Sequence, residues 1–302
     1  MDKGIYTALS GGIAKSHELE IIANNIANAN TPGFKSDRAT FNEYLTEYRR
    51  QDSVEGLGRE INAATMLNGR PQGDKSFVEM DQVYTSFLQG GLQRTHRSLD
   101  LAVDGTGFFE VLTPNGIRFT RQGNFSINTE GLLITIQGYP VLSRFREIRE
   151  KASLMEINNQ KKFDPLNIEK KPVDTLKGQA EVPPNLRTIR INPNIQAEIS
   201  EDGTIYQEGK KIAQVNIEEF KENQWLEKVG NSYFRNDLPN NIKDGIYTSR
   251  VLQGFIETSN VNPVREMTKL IEVTRQYESH MQAIKTYQEI DGKTVNDIAG
   301  GR

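Results

Sequence analysis

The stretch Ala23-Asn24-Asn25-Ile26-Ala27-Asn28-Ala29-Asn30-Thr31-Pro32-Gly33-Phe34-Lys35 marks where one kind of structure stops and another starts. Upstream of it, Ile5, Leu9, Gly12, Ser16, Leu19, Ala23 and Ile26 recur at spacings of four and three, and Ile13 and Ile22 widen the stripe. That period predicts a helix over residues 2–30 with one apolar face. Proline cannot continue a helix and glycine takes turn geometry, so Thr31-Pro32-Gly33 is its end. Small residues crowd the first half: Gly4, Thr7, Ala8, Ser10, Gly11, Gly12 and Ala14. They weaken the isolated helix but allow a neighbouring helix to approach closely.

The other end of the chain mirrors this. Thr258-Ser259-Asn260-Val261-Asn262-Pro263 opens a second helical pattern, with Asn262 as N-cap and Pro263 at the first helical position. Met267, Leu270, Ile271, Thr274, Tyr277, Met281, Ile284 and Tyr287 form its stripe, which weakens at Asp291-Gly292 and resumes with Val295 and Ile298. Tyr6, Val273 and Tyr287 fall near the outer edges of the two stripes. Glu18, Glu20, Arg265, Glu266 and Lys269 read as solvated charges.

Between the ends the pattern changes period. From Leu99 it is a meander: 99–103, a turn at 104–107, 108–112, a turn at Pro114-Asn115-Gly116, then 117–121, 125–128 and 132–136. A second block runs over 197–200, 204–207 and 212–220. Turns every eight to twelve residues, on the order of what an all-β module shows, predict a mainly-β region of meander or barrel-like type. The charged 144–188 stretch, with Pro165, Pro172, Pro183 and Pro184, reads as an insertion with a short helix around 146–156. The expected division is therefore an N-terminal assembly helix (1–34), an extended linker that starts the β region (35–98), the β domain with its insertion (99–257) and a C-terminal assembly helix (258–302). The fold class is α+β, with the two terminal helices paired as a coiled coil.

Composition excludes several functions. A net charge of −3 over 302 residues, well mixed in sign, gives no basic stripe for nucleic acid. There is no cysteine, hence no disulfide, thiolate metal site or thiol nucleophile. No run approaches the roughly eighteen apolar residues of a membrane span, and the opening Met1-Asp2-Lys3-Gly4-Ile5-Tyr6 lacks the form of a cleavable signal. His17, His96 and His280 stand apart with no partner at metal-ligand spacing, and His17 and His280 read as helix-surface residues. Gly105-Thr106-Gly107 lacks the following helix of a phosphate loop, and Asp202-Gly203-Thr204 lacks the carboxylates of a calcium loop. Trp225 is expected in a β-domain core or edge. An enzyme acting on the cell wall would need paired carboxylates, for which Asp100, Asp104 and Glu110 are the candidates. No catalytic, cofactor or metal residues are expected.

Two readings of the helices stand side by side. They cover themselves on their own β region, or they are shared between copies whose heterologous contacts propagate as a tube. The 23–35 stretch resembles the N-terminal signature of the flagellar rod and hook protein family. Glu257-Thr258-Ser259-Asn260-Val261-Asn262-Pro263, with the helix through Tyr277-Glu278, resembles its C-terminal motif, and 99–109 resembles the start of its β domain. The three blocks stand in the family's order and, with 114–142 and 197–234, cover most of the chain. The 144–188 stretch is longer than the family pattern. Within the family, 1–8 and Asn262-Pro263-Val264 are closest to the proximal rod branch, with the distal rod branch as the alternative.

The resemblance implies a structural subunit of the rod that transmits torque through the cell envelope. It implies a basal-body location in the periplasm and export by the flagellar type III apparatus. The implied partners are copies of the chain itself, proximal rod proteins below and the distal rod above, with no nucleic acid and no membrane insertion. The implied assembly interface takes Ile5, Leu9, Gly12, Ile13, Leu19, Ile22, Asn24, Asn25, Ile26, Asn28, Asn30, Pro32, Gly33 and Phe34 from the first end. From the second it takes Ser259, Asn260, Val261, Asn262, Pro263, Met267, Leu270, Ile271, Tyr277, Met281, Ile284 and Tyr287.

Overall fold

A computed structural model describes residues 2–46, 75–144, 187–230, 232–243 and 248–299. The expected helix at 146–156 lies outside them. In chain order the elements begin with α1 (Asp2–Ala27), β1 (Asp37–Thr46), β2 (Lys75–Thr85) and β3 (Leu92–Arg94). Next come β4 (Leu101–Asp104), β5 (Phe108–Thr113), β6 (Gly116–Thr120), β7 (Ser126–Ile127) and β8 (Leu133–Ile134). The second block supplies β9 (Glu198–Ile199), β10 (Thr204–Gln207), β11 (Lys210–Gln214) and β12 (Ile217–Glu218). The series closes with β13 (Leu226–Val229), β14 (Tyr233–Asn236), β15 (Arg250–Gln253), β16 (Phe255–Glu257) and α2 (Pro263–Ala299).

The chain forms two compact units. A helical unit combines α1, α2 and the antiparallel ribbon of β1 with β2. At about 1.5 Å per residue, α1 spans roughly 39 Å and α2 roughly 55 Å, so the second helix is the longer and runs unbroken through Asp291-Gly292. Asn262 Oδ1 accepts from the Arg265 N–H at 3.1 Å, which is the N-cap of α2.

The β unit holds residues 28–36 and 85–261. Its largest sheet has the order β12-β5-β6-β14-β13, joined by a β5–β6 hairpin. β10 and β11 form another hairpin on a two-residue turn, Glu208-Gly209, where both residues have positive φ. That is the mirror-image turn whose twist suits an antiparallel pair. Because successive strand residues point to opposite faces, adjacent Phe108 and Phe109 feed different clusters. Phe109 packs with Val111, Leu133 and Ile205, and Phe108 with Phe119, Phe220 and Phe234.

The barrel-like expectation is corrected here. Among the described residues no sheet closes on itself: β4–β15, β3–β16 and β7–β8 are separate two-stranded pairs, and β9–β10–β11 is a separate sheet. Strands of two to six residues with glycine turns between them end before curvature can join edge to edge. The base of the 144–188 insertion is closed tightly. The Ser143 N–H donates to Arg187 O at 2.7 Å, and Leu142 bridges to Thr188.

Candidate assembly site

In the helical unit α1 and α2 pack antiparallel, as three contacts in opposite order show. Glu18 pairs with Lys269 at 3.1 Å, Gly11 faces His280, and Gly4 faces Tyr287. The glycines explain the spacing: a Cβ on Gly11 would lie 2.8 Å from His280 Cε1, and one on Gly4 would lie 2.9 Å from the Tyr287 ring. Small residues in one helix are thus notches for large side chains of the other. The buried seam consists of Gly11, Gly12, Ala14, Glu18, Ile22 and Asn25 on α1, with Val273 and Ile284 on α2.

Burial alone would raise the Glu18 carboxyl, but the Lys15 and Lys269 ammonium groups outweigh it and hold it below the usual range. Asn25 closes the seam against β1: its Nδ2 donates to Asp37 O at 2.8 Å, and the Asp37 N–H donates back to Asn25 Oδ1 at 3.0 Å.

The expected stripes divide on this frame. Ile22, Asn25 and Ile284 are buried and Gly12 with them, while Ile5, Leu19, Ile26, Leu270 and Tyr277 are half-buried. Leu9, Ile13, Met267, Ile271 and Met281 point outward instead, with Ile13 at 51% and Ile271 at 56% exposure. Tyr6 is exposed and Tyr287 borders on it. Asn24, Asn30, Asn262 and Pro263 are exposed.

Three expectations need correction. Val273, read as an outer edge, is buried in the seam because α2 presents 266, 270, 273, 277, 280, 284 and 287 inward at spacings of four and three. Glu18, read as a solvated charge, is buried between two lysines. His280, read as a surface residue, fills the Gly11 notch. Trp225, expected in a core or at an edge, sits 62% exposed on a short 3₁₀ turn directly before β13, an edge strand of the five-stranded sheet.

Asn28, Pro32, Gly33, Phe34, Ser259, Asn260 and Val261 come together elsewhere, in the β unit. There the segment that leaves α1 lies against the segment that leads to α2. The Gly33 N–H donates to Glu257 O at 2.8 Å, and the Ser36 N–H to Asn260 Oδ1 at 2.8 Å. Asn260 Nδ2 reaches Ser86 O and Leu88 O, tying in the strand that returns from β2. Gly33 has φ 68°, and a Cβ there would lie 2.5 Å from the Arg121 backbone, so only glycine fits. Asn28 accepts from the Thr31 hydroxyl at 3.2 Å and the Thr31 N–H at 3.1 Å, which shapes the turn after the helix.

Beneath this junction lies a buried charge cluster that the sequence reading did not identify. Glu257 Oε1 takes the Lys35 ammonium at 2.6 Å and the Gly90 N–H at 2.8 Å; its Oε2 takes Arg121 at 3.2 Å. Lys35 also donates to Leu88 O, and Arg121 to Gly105 O. The Arg121 guanidinium lies 4.7 Å from the Phe108 ring centroid, and Lys228 lies 4.0 Å from that of Phe34 while donating to Lys35 O. Burial pushes both cations below their ordinary range, and Glu257 opposes it. Lys35 and Glu257 both belong to the quoted motifs. Their burial carries no periodic signal: Lys35 sits in an irregular segment, and Glu257 ends β16, a strand of only three residues.

Two of the carboxylates weighed for hydrolysis are already engaged by arginines. Glu110 is buried and bound through both oxygens by Arg187, with Asn216 Nδ2 at 2.6 Å from Oε2. Asp100 is buried beside Arg97. Among the described residues no group of three or more His, Cys, Asp or Glu side chains could hold a metal.

Three family models match in order along the chain. They are the flagella basal body rod protein model over 5–35, the flagellar hook protein FlgE/F/G D1 domain over 102–207, and the flagellar basal body rod FlgEFG protein C-terminal model over 252–298. The flagellar basal-body rod protein FlgF of Caulobacter vibrioides is 30% identical over 298 residues, covering 99% of this chain and 98% of the relative. FlgF of Rhizobium meliloti is 27% identical over the full length of both. FlgG of Bacillus subtilis is 29% identical over 98% of this chain and 99% of the relative.

Proposed function

The chain belongs to the flagellar basal-body rod protein family, and from that premise we propose that its terminal helices are shared with neighbouring subunits in the rod. It is a structural subunit of the flagellar basal body and not an enzyme. One observation carries the reading. The α1–α2 pair covers a single seam and leaves Leu9, Ile13, Met267 and Ile271 in water. Apolar side chains of this size each gain about 1.5–3 kcal/mol when fully buried. Copies packed side by side supply that burial, and a heterologous contact repeated around an axis builds a tube.

Within the family we read the chain as FlgF-like, a proximal rod subunit, on its opening residues and the Asn262-Pro263-Val264 junction. The distal rod reading, FlgG-like, is supported by relatives of nearly equal identity. The assembly residues are the exposed and half-buried members of both stripes together with the 28–34 and 259–263 junction. The neighbours are copies of the chain and other rod proteins, and the route outward is the flagellar export apparatus. The helix pair works in the rod as a coiled coil. No helix among the described residues is long and apolar enough to cross a membrane.

A strain lacking its own subunit of this kind tests the reading. The full chain restores motility and is recovered in purified basal bodies, whereas a chain lacking residues 2–27 does neither. Motility without α1 contradicts it.

A further inference from the structure

We infer that Lys35, Arg121 and Glu257 are positioning residues, whose buried charges fix the register in which the segments leaving α1 and leading to α2 pass each other. The inference rests on the rod reading, for which a single register matters. The cluster is a hub of directional bonds. Besides its two salt bridges it holds the backbone of Leu88 and Gly90, both in the 86–91 segment, and of Gly105 in the turn after β4, two segments that no strand ladder joins to 33–36. Lys228, on β13, adds a third through Lys35 O.

An apolar cluster of equal volume would fill the same space without specifying which backbone group meets which. Replacing a buried ion pair by well-packed apolar groups is often neutral for stability, so stability alone gives no reason for three charges here. What they add is directionality: each bond has one donor and one acceptor position. Arg121, whose planar fork serves Glu257 and Gly105 together, cannot be replaced by lysine without losing one of them. The adjacent bonds, from the Gly33 N–H to Glu257 O and from the Ser36 N–H to the Asn260 side-chain Oδ1, hold the same two segments together.

The test uses the full-length chain carrying Lys35→Met, Arg121→Met and Glu257→Met together, purified and also expressed in the strain lacking its own subunit. The triple variant keeps its thermal midpoint near that of the wild type. Its Gly33, Ser36 and Gly90 amides exchange at least about tenfold faster, and it is depleted from basal bodies. Unchanged exchange at those amides overturns the inference, and so does full incorporation despite faster exchange. Should the triple variant fail to fold, Arg121→Lys, which keeps the charge, decides by the same exchange readout. Absence of the wild-type chain from basal bodies would overturn the rod reading, while the exchange rates still decide the positioning claim.

Discussion

Lys35 and Glu257 stand 222 positions apart and meet at 2.6 Å with their side chains 1% and 0% exposed. One lies just after the first helix and the other just before the second, so a single buried bond joins the two ends of the β unit. Removing one partner leaves the others charged and buried. Glu257→Gln should therefore destabilise the β unit by about 3–5 kcal/mol in denaturant unfolding. A loss under about 1 kcal/mol, typical of an exposed pair, would show that the cluster is hydrated.

The same bond sets where the chain can be cut. A chain that starts at Asn28 keeps Phe34 and Lys35, both fully buried, and should unfold as one cooperative β unit. A chain that starts at Asp37 loses both and leaves Glu257 with Arg121 as its remaining cation. It should lose on the order of 3–5 kcal/mol from the missing phenylalanine, beyond the ionic effect. Equal thermal midpoints for the two truncations would contradict this.

Gly11 and Gly12 are neighbours in sequence with opposite tolerance. A Cβ on Gly12 meets His280 Cβ at 3.8 Å, an ordinary contact, so Gly12→Ala should be neutral or gain up to about 1 kcal/mol of helix propensity. Gly11→Leu drives a side chain into the His280 ring and should destabilise the helix pair by about 1–3 kcal/mol. Far-UV circular dichroism melts of the two variants give the comparison. Equal melts would mean that the notch is not filled.

Glu219 supplies an acid-sensitive bond. Its side chain is fully buried. Burial would raise its pKa, but the Lys243 ammonium at 2.9 Å and the hydrogen bonds from Ser249 and Thr248 bring it down to about 2. A carboxyl depressed on folding stabilises above its unfolded pKa, about 4.3, and loses that contribution as pH falls towards 2. Thermal midpoints should drop between pH 4.5 and 2, and Glu219→Gln should flatten that slope. An identical slope in the variant would place the acid sensitivity elsewhere.

Much of this was legible in the residues. The period of four and three reports helices wherever they lie, and Thr31-Pro32-Gly33 and Asn262-Pro263 punctuate them by backbone chemistry alone. The face was harder. In α2 the Met267–Ile271–Met281 row and the Leu270–Val273–Ile284 row are both apolar, so the pattern could not say which row turns inward. What decides is steric: α1 offers glycine notches, and Tyr287 and His280 fit them. Sheet closure was not legible either, since alternation predicts strands but not whether short ladders join. The Lys35–Arg121–Glu257 cluster escaped because lysine, arginine and glutamate are ordinarily solvated, and only distant pairing makes their burial tolerable.

The chain contains no cysteine, so single cysteines report cleanly on solvent access. Ile13→Cys and Ile271→Cys, on the outward rows, and Val273→Cys, in the seam, can be tested with a maleimide in the purified chain and in isolated basal bodies. The account predicts that positions 13 and 271 react readily in the purified chain and are shielded in the basal body, with position 273 slow in both. Equal reactivity of 13 and 271 in the two preparations would mean that no neighbour covers these rows, and the shared-helix account would be wrong.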